Sequence, residues 1–185
     1  ISPNKQRTVE MMSTGGTISC RYYEDDAIKV LGLDYTMSGA SMYIFLPTER
    51  YGYQIMERTL TAEGMMEIIE DKLRPNNVKV KIPKFKLESE IDVKSVLQHL
   101  GVTDLFTGDA NLSGISKVPL FVSDAVLKAF VEVDESGTEA AAAASFNIVA
   151  KSYRPPPIVK EFIADHPFIF TIVYQETTLF IGRYM

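Results

Sequence analysis

The first fifty residues alternate short runs of β-branched and aromatic side chains with clusters of turn-forming residues. This pattern predicts strands over residues 17–23, 27–35 and 41–46. The turns are Gly15-Gly16, the acidic stretch 24–26 and the Ser-Gly-Ala stretch 38–40. In the second and third runs apolar residues occupy both odd and even positions. We therefore expect these two strands to be buried on both faces.

The pattern then changes to a helical period and back again. Residues 53–73 carry two apolar stripes at helical spacing, interrupted at Gly64, which predicts an interrupted helix. Residues 78–87 alternate Val, Ile or Phe with lysine, and Pro83 shifts the phase of the alternation. A proline favours an edge strand or a bulge at this place. The lysines of this stretch are more typical of a solvated face than of a site for a polyanion. A glycosaminoglycan is therefore not an expected partner. These lysines are Lys79, Lys81, Lys84 and Lys86.

The C-terminal half of the chain predicts one helix and several apolar strands. Residues 92–100 have helical spacing, with Asp92 as the N-cap and Gly101 as the stop. Residues 121–134 are apolar on both parities, as in a strand covered on both faces. Residues 162–174 and 178–184 predict a terminal hairpin that turns at 175–177. The whole pattern indicates an α+β fold with more strand than helix and no internal repeat.

Between the predicted strand 121–134 and the predicted terminal hairpin lies a segment of a different kind, residues 134–157. It consists of an acidic turn, five alanines, an apolar-polar run and three prolines. From Thr138 onwards the even positions are small or apolar, and the odd positions hold every charge and amide. This is the period of a strand with one buried face. Alanine, however, favours helix, and an isolated helix needs about 12–15 residues. Loop, helical turn and strand therefore all stay open, and we interpret the segment as a metastable arm.

Composition narrows the class of protein. The chain has 185 residues, 46% of them hydrophobic, and a net charge of −5, which argues for a globular domain and against nucleic-acid binding. No apolar run approaches the length of a membrane helix, and no signal peptide is recognised at the N-terminus. Cys20 is the single cysteine. It excludes an internal disulfide and, with the chain end at Met185, weakly favours an intracellular location over secretion.

The sequence lacks the residues of a catalytic or metal site. The two histidines are His99, on the predicted helix, and His166, between Asp165 and Pro167. No serine or cysteine has the neighbours of a nucleophile, and no metal-ligand or phosphate-loop spacing occurs. We therefore expect neither an enzyme nor a cofactor or metal.

Several motifs carry a resemblance to one family. Val133-Asp134-Glu135-Ser136-Gly137-Thr138 with the following alanines resembles the hinge of inhibitory serpins, the serine protease inhibitors. The stretches 162–170 and 179–183 are similar to the C-terminal signature of that family, and Ile82-Pro83-Lys84-Phe85 also matches. The resemblance covers residues 1–185, but only the C-terminal half of a serpin. It implies a serpin fold of several sheets and helices, with a mobile reactive-centre loop at 135–157.

The resemblance also implies a mechanism of suicide inhibition. A serine protease attacks the loop and forms an acyl-enzyme, and the cut loop inserts as a strand into the central sheet, which traps the protease covalently. The hinge residues are Glu135, Gly137, Thr138, Glu139, Ala140, Ala141, Ala142, Ala143 and Ala144.

The family's fixed spacing, 17 residues counted from Glu135 inclusive, places the reactive bond at Lys151–Ser152. A lysine there predicts a trypsin-like protease as partner. Arg154 is the second candidate, but Pro155 would hinder cleavage after it. The alternative functions are a non-inhibitory serpin (carrier, chaperone or storage protein) and a truncated interaction fragment.

Overall fold

The computed structural model describes residues 7–37, 39–135 and 159–185. These residues form two compact units. The larger unit comprises Ile1–Lys84 together with Asp134–Met185, and the smaller comprises Phe85–Val133. The architecture is α+β and strand-rich, as the sequence predicts.

The larger unit is built on one seven-stranded sheet, and its strands are all antiparallel to their neighbours except β7, which pairs with β4 in parallel. The order across the sheet is β7-β4-β1-β2-β3-β8-β9. Its strands are β1 (Met11–Glu24), β2 (Ile28–Asp34), β3 (Ala40–Pro47), β4 (Arg74–Pro83), β7 (Lys160–Ile163), β8 (Phe168–Tyr174) and β9 (Thr177–Tyr184).

The core lies against the middle of this sheet. Every residue of β3 is buried, and most of β2 is buried as well, which confirms the prediction of strands covered on both faces. One face packs against α1 (Tyr53–Thr59), α2 (Ala62–Glu67) and a π-helical turn (Ile68–Lys72). The predicted interruption at Gly64 lies instead at Leu60–Thr61. The Thr61 side chain accepts a hydrogen bond from the backbone N–H of Gly64, and so it caps the start of α2.

The predicted strand 78–87 is two strands in different sheets. β4 ends at Pro83, Lys84 connects, and β5 (Phe85–Asp92) begins the smaller unit. β4 pairs with β1 on one side and, over Val78–Lys81, with β7 on the other, so β4 as a whole is not an edge strand. Pro83 itself lies beyond the β7 pairing and is paired only with Met11 among the described strands. The proline is tolerated because it is the last residue of β4, where a strand ends.

The smaller unit contains β5, α3 (Val93–His99), a 3₁₀ turn (Asp104–Phe106) and β6 (Val126–Val133). Asp92 accepts a hydrogen bond from the backbone N–H of Ser95, and Gly101 has a φ of 90°. These two observations confirm the predicted N-cap and stop of α3.

The expectation that β6 is covered on both faces is wrong for this chain. β6 pairs only with β5 among the described strands, and three of its apolar side chains are about half exposed: Val126 49%, Leu127 52% and Phe130 50%. Within the described residues, a sheet of two strands does not supply the neighbours that would bury both faces.

The predicted strand 162–174 is also divided. Residues 164–167 connect β7 to β8, and the terminal hairpin is β8–β9, paired from Phe168–Tyr184 to Tyr174–Thr177. The turn is therefore Gln175-Glu176 alone, with φ angles of 45° and 67°. Both residues lie in the left-handed region, which a two-residue hairpin turn of this kind requires.

Candidate functional site

Of the arm itself the structure describes only Asp134 and Glu135, together with the strand before the arm and the strand after it. Of the predicted hinge only Glu135 lies among the described residues. Residues 136–158 lie outside them, and these include Gly137, Thr138, Glu139 and the alanines Ala140 to Ala144, as well as Lys151 and Ser152 of the predicted reactive bond. The hinge and the reactive bond therefore stay predictions. The geometry that the structure adds is that of the two strands on which the arm is mounted.

At its N-terminal end the arm follows β6 directly. β6 pairs with β5 over eight residues, and the last pair of this ladder is Phe85–Val133. Asp134 and Glu135 come immediately after it, so the arm starts at the point where the hydrogen-bonded ladder ends. The opposite edge of β6 pairs with no strand of the described chain.

An ion pair holds this root of the arm. Lys84, which immediately precedes β5, places its Nζ 2.8 Å from Glu135 Oε1 and 3.8 Å from Glu10 Oε2. The backbone N–H of Lys84 also donates to the carbonyl oxygen of Glu10 at 2.8 Å. Lys84 is thus fixed by its backbone while its ammonium group lies between two carboxylates.

Glu135 and Lys84 each favour the charged form of the other. The hydrogen bond from Lys84 lowers the pKa of Glu135, and the same bond raises the pKa of Lys84. Both side chains are partly exposed, with fractions of 57% for Glu135 and 37% for Lys84. The pair is therefore a surface ion pair that restrains Glu135, the first residue of the predicted hinge.

At its C-terminal end the arm joins β7, a short strand at the edge of the larger sheet. β7 pairs in parallel with β4 from Val78–Lys160 to Lys81–Ile163, and Ala164 N–H extends the ladder to Lys81 O at 2.9 Å. Phe162 is fully buried, and its ring meets that of Tyr22 edge-on at 6.4 Å. Burial of the Phe162 ring thus anchors the four-residue strand β7 to the core.

Ion pairs reinforce the same anchor. Lys160 Nζ contacts Glu24 Oε1, and Lys79 Nζ lies 3.4 Å from Glu161 Oε1. The Tyr22 hydroxyl donates to Glu24 Oε2 at 2.6 Å. The hydrogen bond from Lys160 is the main cause that lowers the pKa of Glu24, and the bond from Tyr22 adds to it.

The side chains of His166, Asp165 and Cys20 have structural partners or are protonated, and none is set up as a catalytic group. His166 Nδ1 lies 2.8 Å from Asp165 Oδ1 and its Nε2 lies 2.7 Å from the carbonyl oxygen of Pro47, so both ring nitrogens face acceptors. Burial would raise the pKa of Asp165, but the hydrogen bond from His166 and the charge of Arg50 lower it. Burial, with the charge of Asp34, raises the pKa of the Cys20 thiol to about 11, so that it is not a thiolate at neutral pH.

No group of three His, Cys, Asp or Glu side chains among the described residues is placed to hold a metal ion. None of the helices formed by these residues has the length and apolar character needed to span a bilayer.

The ion-pair partners at the two ends of the arm are not evident from the sequence. The residues in question are Glu10 and Lys84 at the root, and Glu24 and Lys160 at the far end. The shift in the alternation at Pro83 could have indicated that Lys84 lies between two strands and belongs to neither. Of the four lysines of this region, Lys79, Lys84 and Lys86 lie within 4 Å of a carboxylate.

Comparison with known proteins identifies the family of the chain. The family model described as "Serpin (serine protease inhibitor)" matches residues 1–185. The chain is 39% identical to Serpin B6 of Pongo abelii over 188 residues, which cover 100% of this chain and 49% of that protein. It is also 39% identical to the leukocyte elastase inhibitor of Xenopus laevis, covering 100% of this chain and 50% of that protein.

The fold agrees with this similarity. The crystal structure of uncleaved ovalbumin matches with a TM-score of 0.75 and 31% identity, covering 98% of this chain and 45% of that one. The chain thus spans about half the length of the relatives it matches. A match over every residue of the sequence, with a shared fold, means that this chain belongs to the serpin family.

Proposed function

We propose that this chain carries the reactive loop of an inhibitory serpin, which traps a trypsin-like serine protease as a covalent acyl-enzyme. The observation that carries the proposal is the position of the arm directly after β6, a strand that pairs on one edge only among the described residues. An open strand edge is a template for backbone pairing. The arm is covalently attached to the strand beside which it would insert.

The length and the pattern of the arm suit this insertion. The eight residues of β6 extend over about 27 Å, whereas the 14 residues 138–151 reach about 48 Å when fully extended. The arm is therefore long enough to turn back and pair along the whole of β6. Its even positions are small or apolar at Thr138, Ala140, Ala142 and Ala144, and these side chains would face the interior without leaving a buried charge.

The chemistry that starts the reaction belongs to the protease. Its serine Oγ attacks the carbonyl carbon of Lys151, the Lys151–Ser152 amide bond breaks, and the new amino group of Ser152 takes the proton from the protease histidine. An ester then joins the carbonyl carbon of Lys151 to the protease. Lys151 suits a specificity pocket that holds a carboxylate, as in trypsin. Insertion of the arm removes this ester from the attacking water before it is hydrolysed.

The names of relatives support inhibition as the general activity. One relative is named leukocyte elastase inhibitor, and the matching family is described as serine protease inhibitors. The preference for a trypsin-like enzyme rests on Lys151 alone. The inserted arm would need a second neighbouring strand on the side away from β6. Because the chain spans about half the length of its relatives, we expect that strand to lie outside the described residues. The test therefore uses the full-length protein.

The experiment mixes the full-length protein with trypsin and analyses the products on a denaturing gel and by mass spectrometry. We expect a covalent complex that resists denaturation, together with a released peptide that begins at Ser152. Lys151→Ala is expected to abolish the complex with trypsin, while Lys117→Ala, a lysine outside the arm, leaves it unchanged. Cleavage after Lys151 without a complex would contradict the proposal, and would favour the alternative of a non-inhibitory serpin.

A further inference from the structure

The connector between β7 and β8, residues 164–167, carries the histidine of the larger unit, His166. Its side chain is only 10% exposed. One ring nitrogen, Nδ1, lies 2.8 Å from Asp165 Oδ1, and the other, Nε2, lies 2.7 Å from the carbonyl oxygen of Pro47. Both distances are those of hydrogen bonds. The ring therefore bridges the connector and the last residue of β3.

The two partners of the ring select one of its protonation states. A carboxylate and a carbonyl oxygen only accept hydrogen bonds, and a neutral imidazole has a single N–H to donate. In the neutral ring, the second nitrogen would direct a lone pair at an acceptor. The doubly protonated imidazolium donates to both oxygens, and hydrogen bonds in which the donor or the acceptor is charged are the strong ones.

The charged groups around the ring come from four elements. Asp165 belongs to the connector, and Arg50 of the loop after β3 places its Nη1 2.9 Å from Asp165 Oδ2. Lys29 of β2 and Glu161 of β7 line a small cavity of about 140 Å³ together with His166. Burial opposes the ionisation of Asp165, but the hydrogen bond from His166 and the charge of Arg50 lower its pKa. The charge in direct contact with the ring is therefore an anion.

The bridge joins a short edge strand to the most buried strand of the sheet. β7 has four residues and pairs with β4 alone among the described strands, whereas every residue of β3 is buried. The ladder of β7 ends where the N–H of Ala164 donates to Lys81 O at 2.9 Å. Short edge elements with few hydrogen bonds open readily by local fluctuation. His166 follows two residues later and adds a fixed point beyond this ladder.

We propose that His166, as the doubly protonated imidazolium, is a positioning residue that clasps β7 to the end of β3 and so fixes the C-terminal anchor of the arm. The clasp consists of the His166 ring, Asp165 and the Pro47 carbonyl group, and its use in trapping a protease rests on the proposed function. A loop that is fixed at both ends has less conformational freedom to lose when a protease binds it.

The clasp is sensitive to pH in one direction. When the ring loses a proton, one of its two hydrogen bonds is lost and a lone pair faces an acceptor in its place. The clasp is therefore complete in mildly acidic solution, and it weakens as the pH rises and the ring becomes neutral.

Hydrogen exchange of the uncut full-length protein tests the clasp without a protease. His166→Gln replaces the ring by a neutral side chain. At pH 6 we expect the amide of Ala164 to exchange about tenfold faster in this variant than in the wild type, since hydrogen bonds to charged groups are the ones lost. At pH 8.5 the wild-type ring is neutral as well, and the two rates should converge. Comparing two proteins at one pH removes the intrinsic pH dependence of exchange.

Two further variants and one direct observation complete this test. His166→Arg keeps a positive charge and several donors at every pH, and it should protect Ala164 at both pH values. His99→Gln changes an exposed histidine of α3 and should match the wild type throughout. Nitrogen-15 spectra of the wild type at pH 6 should show a proton on both ring nitrogens of His166. The clasp is overturned if one of these nitrogens is unprotonated at pH 6, or if His166→Gln has no effect or the same effect at both pH values.

The rate of covalent complex formation with trypsin tests the use of the clasp. We expect His166→Gln to form the complex about threefold more slowly than the wild type at pH 6, and at the same rate at pH 8.5. Equal rates at both pH values, with the exchange effect present, would overturn the positioning role of His166. A wild type that forms no complex, with the exchange effect present, would instead contradict the proposed function and leave the clasp supported.

Discussion

Single residues at the root of the arm restrain it by charge. Lys84 joins the carboxylate of Glu135 at 2.8 Å, and its own backbone is bonded to Glu10. The pair is exposed, so its contribution depends on the ionisation of Glu135 and on screening by salt. The direction of the pH dependence follows from the pKa of Glu135, which the pair lowers. The stabilisation is complete above the ordinary pKa of a glutamate and is lost as the pH falls through the lowered pKa.

We therefore predict that Glu135→Gln lowers the melting temperature by a small amount at pH 7 and has no effect at a pH below the lowered pKa. Protonated Glu135 and glutamine are both neutral, so wild type and variant converge there. The measurement is thermal unfolding by circular dichroism over a pH series, at low and at high salt. Glu49→Gln, which changes an exposed glutamate in the turn after β3, is the control and is expected to match wild type throughout. A difference that persists in acid would mean that Glu135 acts through packing.

The parity of the arm gives a second prediction at this scale. Ala142→Glu places a charge at an even position, where insertion would bury it unpaired at a cost of several kcal/mol. Ala141→Glu places the same charge at an odd position, which the proposed insertion would leave facing solvent. Glutamate adds no site for trypsin. We expect the first variant to be cleaved without forming the covalent complex, and the second to trap trypsin like the wild type. Equal trapping by both variants would exclude strand insertion as proposed.

At the scale of the element, the terminal hairpin depends on one close approach. A Cβ added at Gly182 of β9 would lie 2.5 Å from Phe170 Cζ and 2.7 Å from Phe170 Cε1. Phe170 is 2% exposed, so its ring has little room to move. The glycine is thus required by packing against an aromatic ring in the facing strand, since these two residues are directly paired.

Gly182→Ala is accordingly predicted to lower the free energy of unfolding by about 1–3 kcal/mol, the usual cost of overpacking. Denaturant unfolding provides the measurement. Gly16→Ala is the matched control, because a Cβ there meets nothing within 4 Å. It is expected to change stability by less than about 1 kcal/mol. A Gly182→Ala variant as stable as the control would mean that β8 and β9 separate easily.

Elements also show what the sequence can and cannot predict. The burial of β3 and the cap of α3 by Asp92 were predicted, since each depends on residues close together in the chain. The division of 78–87 at Lys84 was missed, because a shift of phase does not reveal that the next strand joins another sheet. The same holds for the parallel pairing of β7 with β4, which joins residues far apart in sequence.

The candidate site divides in the same way. Glu135 could be predicted from the hinge motif, whereas its partner Lys84 could not, because their contact depends on how β5 and β6 pair. The exposure of Phe130 was missed for another reason. An apolar strand indicates that burial is favoured, but it does not indicate whether the covering residues are present in the same chain.

For the whole molecule, insertion of the arm implies two states of different stability. In the uncut state β6 keeps an edge that pairs with no strand of the described chain. In the cut state the arm would add a strand there, with new backbone hydrogen bonds and buried alanine and phenylalanine side chains. The second state is therefore expected to be the more stable one.

We predict that cleavage at Lys151–Ser152 raises the melting temperature of the full-length protein by several degrees, because each kcal/mol gained is worth about 2–4 °C in a domain of roughly 150–250 residues and less in a longer chain. A protease that cannot be trapped, or catalytic amounts of trypsin, provides the cut form, and calorimetry provides the measurement. The cut form of Ala142→Glu is the control and should show no increase. An unchanged melting temperature in the cut wild type would contradict insertion.

The anchoring of β7, β8 and β9 has a consequence for the products of such a cut. The peptide from Ser152 to Met185 has 34 residues, and it includes the whole of these three strands. β8 lies between β3 and β9, and β7 is paired with β4. After cleavage, the peptide that begins at Ser152 is therefore expected to stay bound non-covalently, and to dissociate only when a denaturant unfolds the sheet. Gel filtration under native conditions should give the cleaved protein the same apparent mass as the intact one, whereas a denaturing gel should separate two chains.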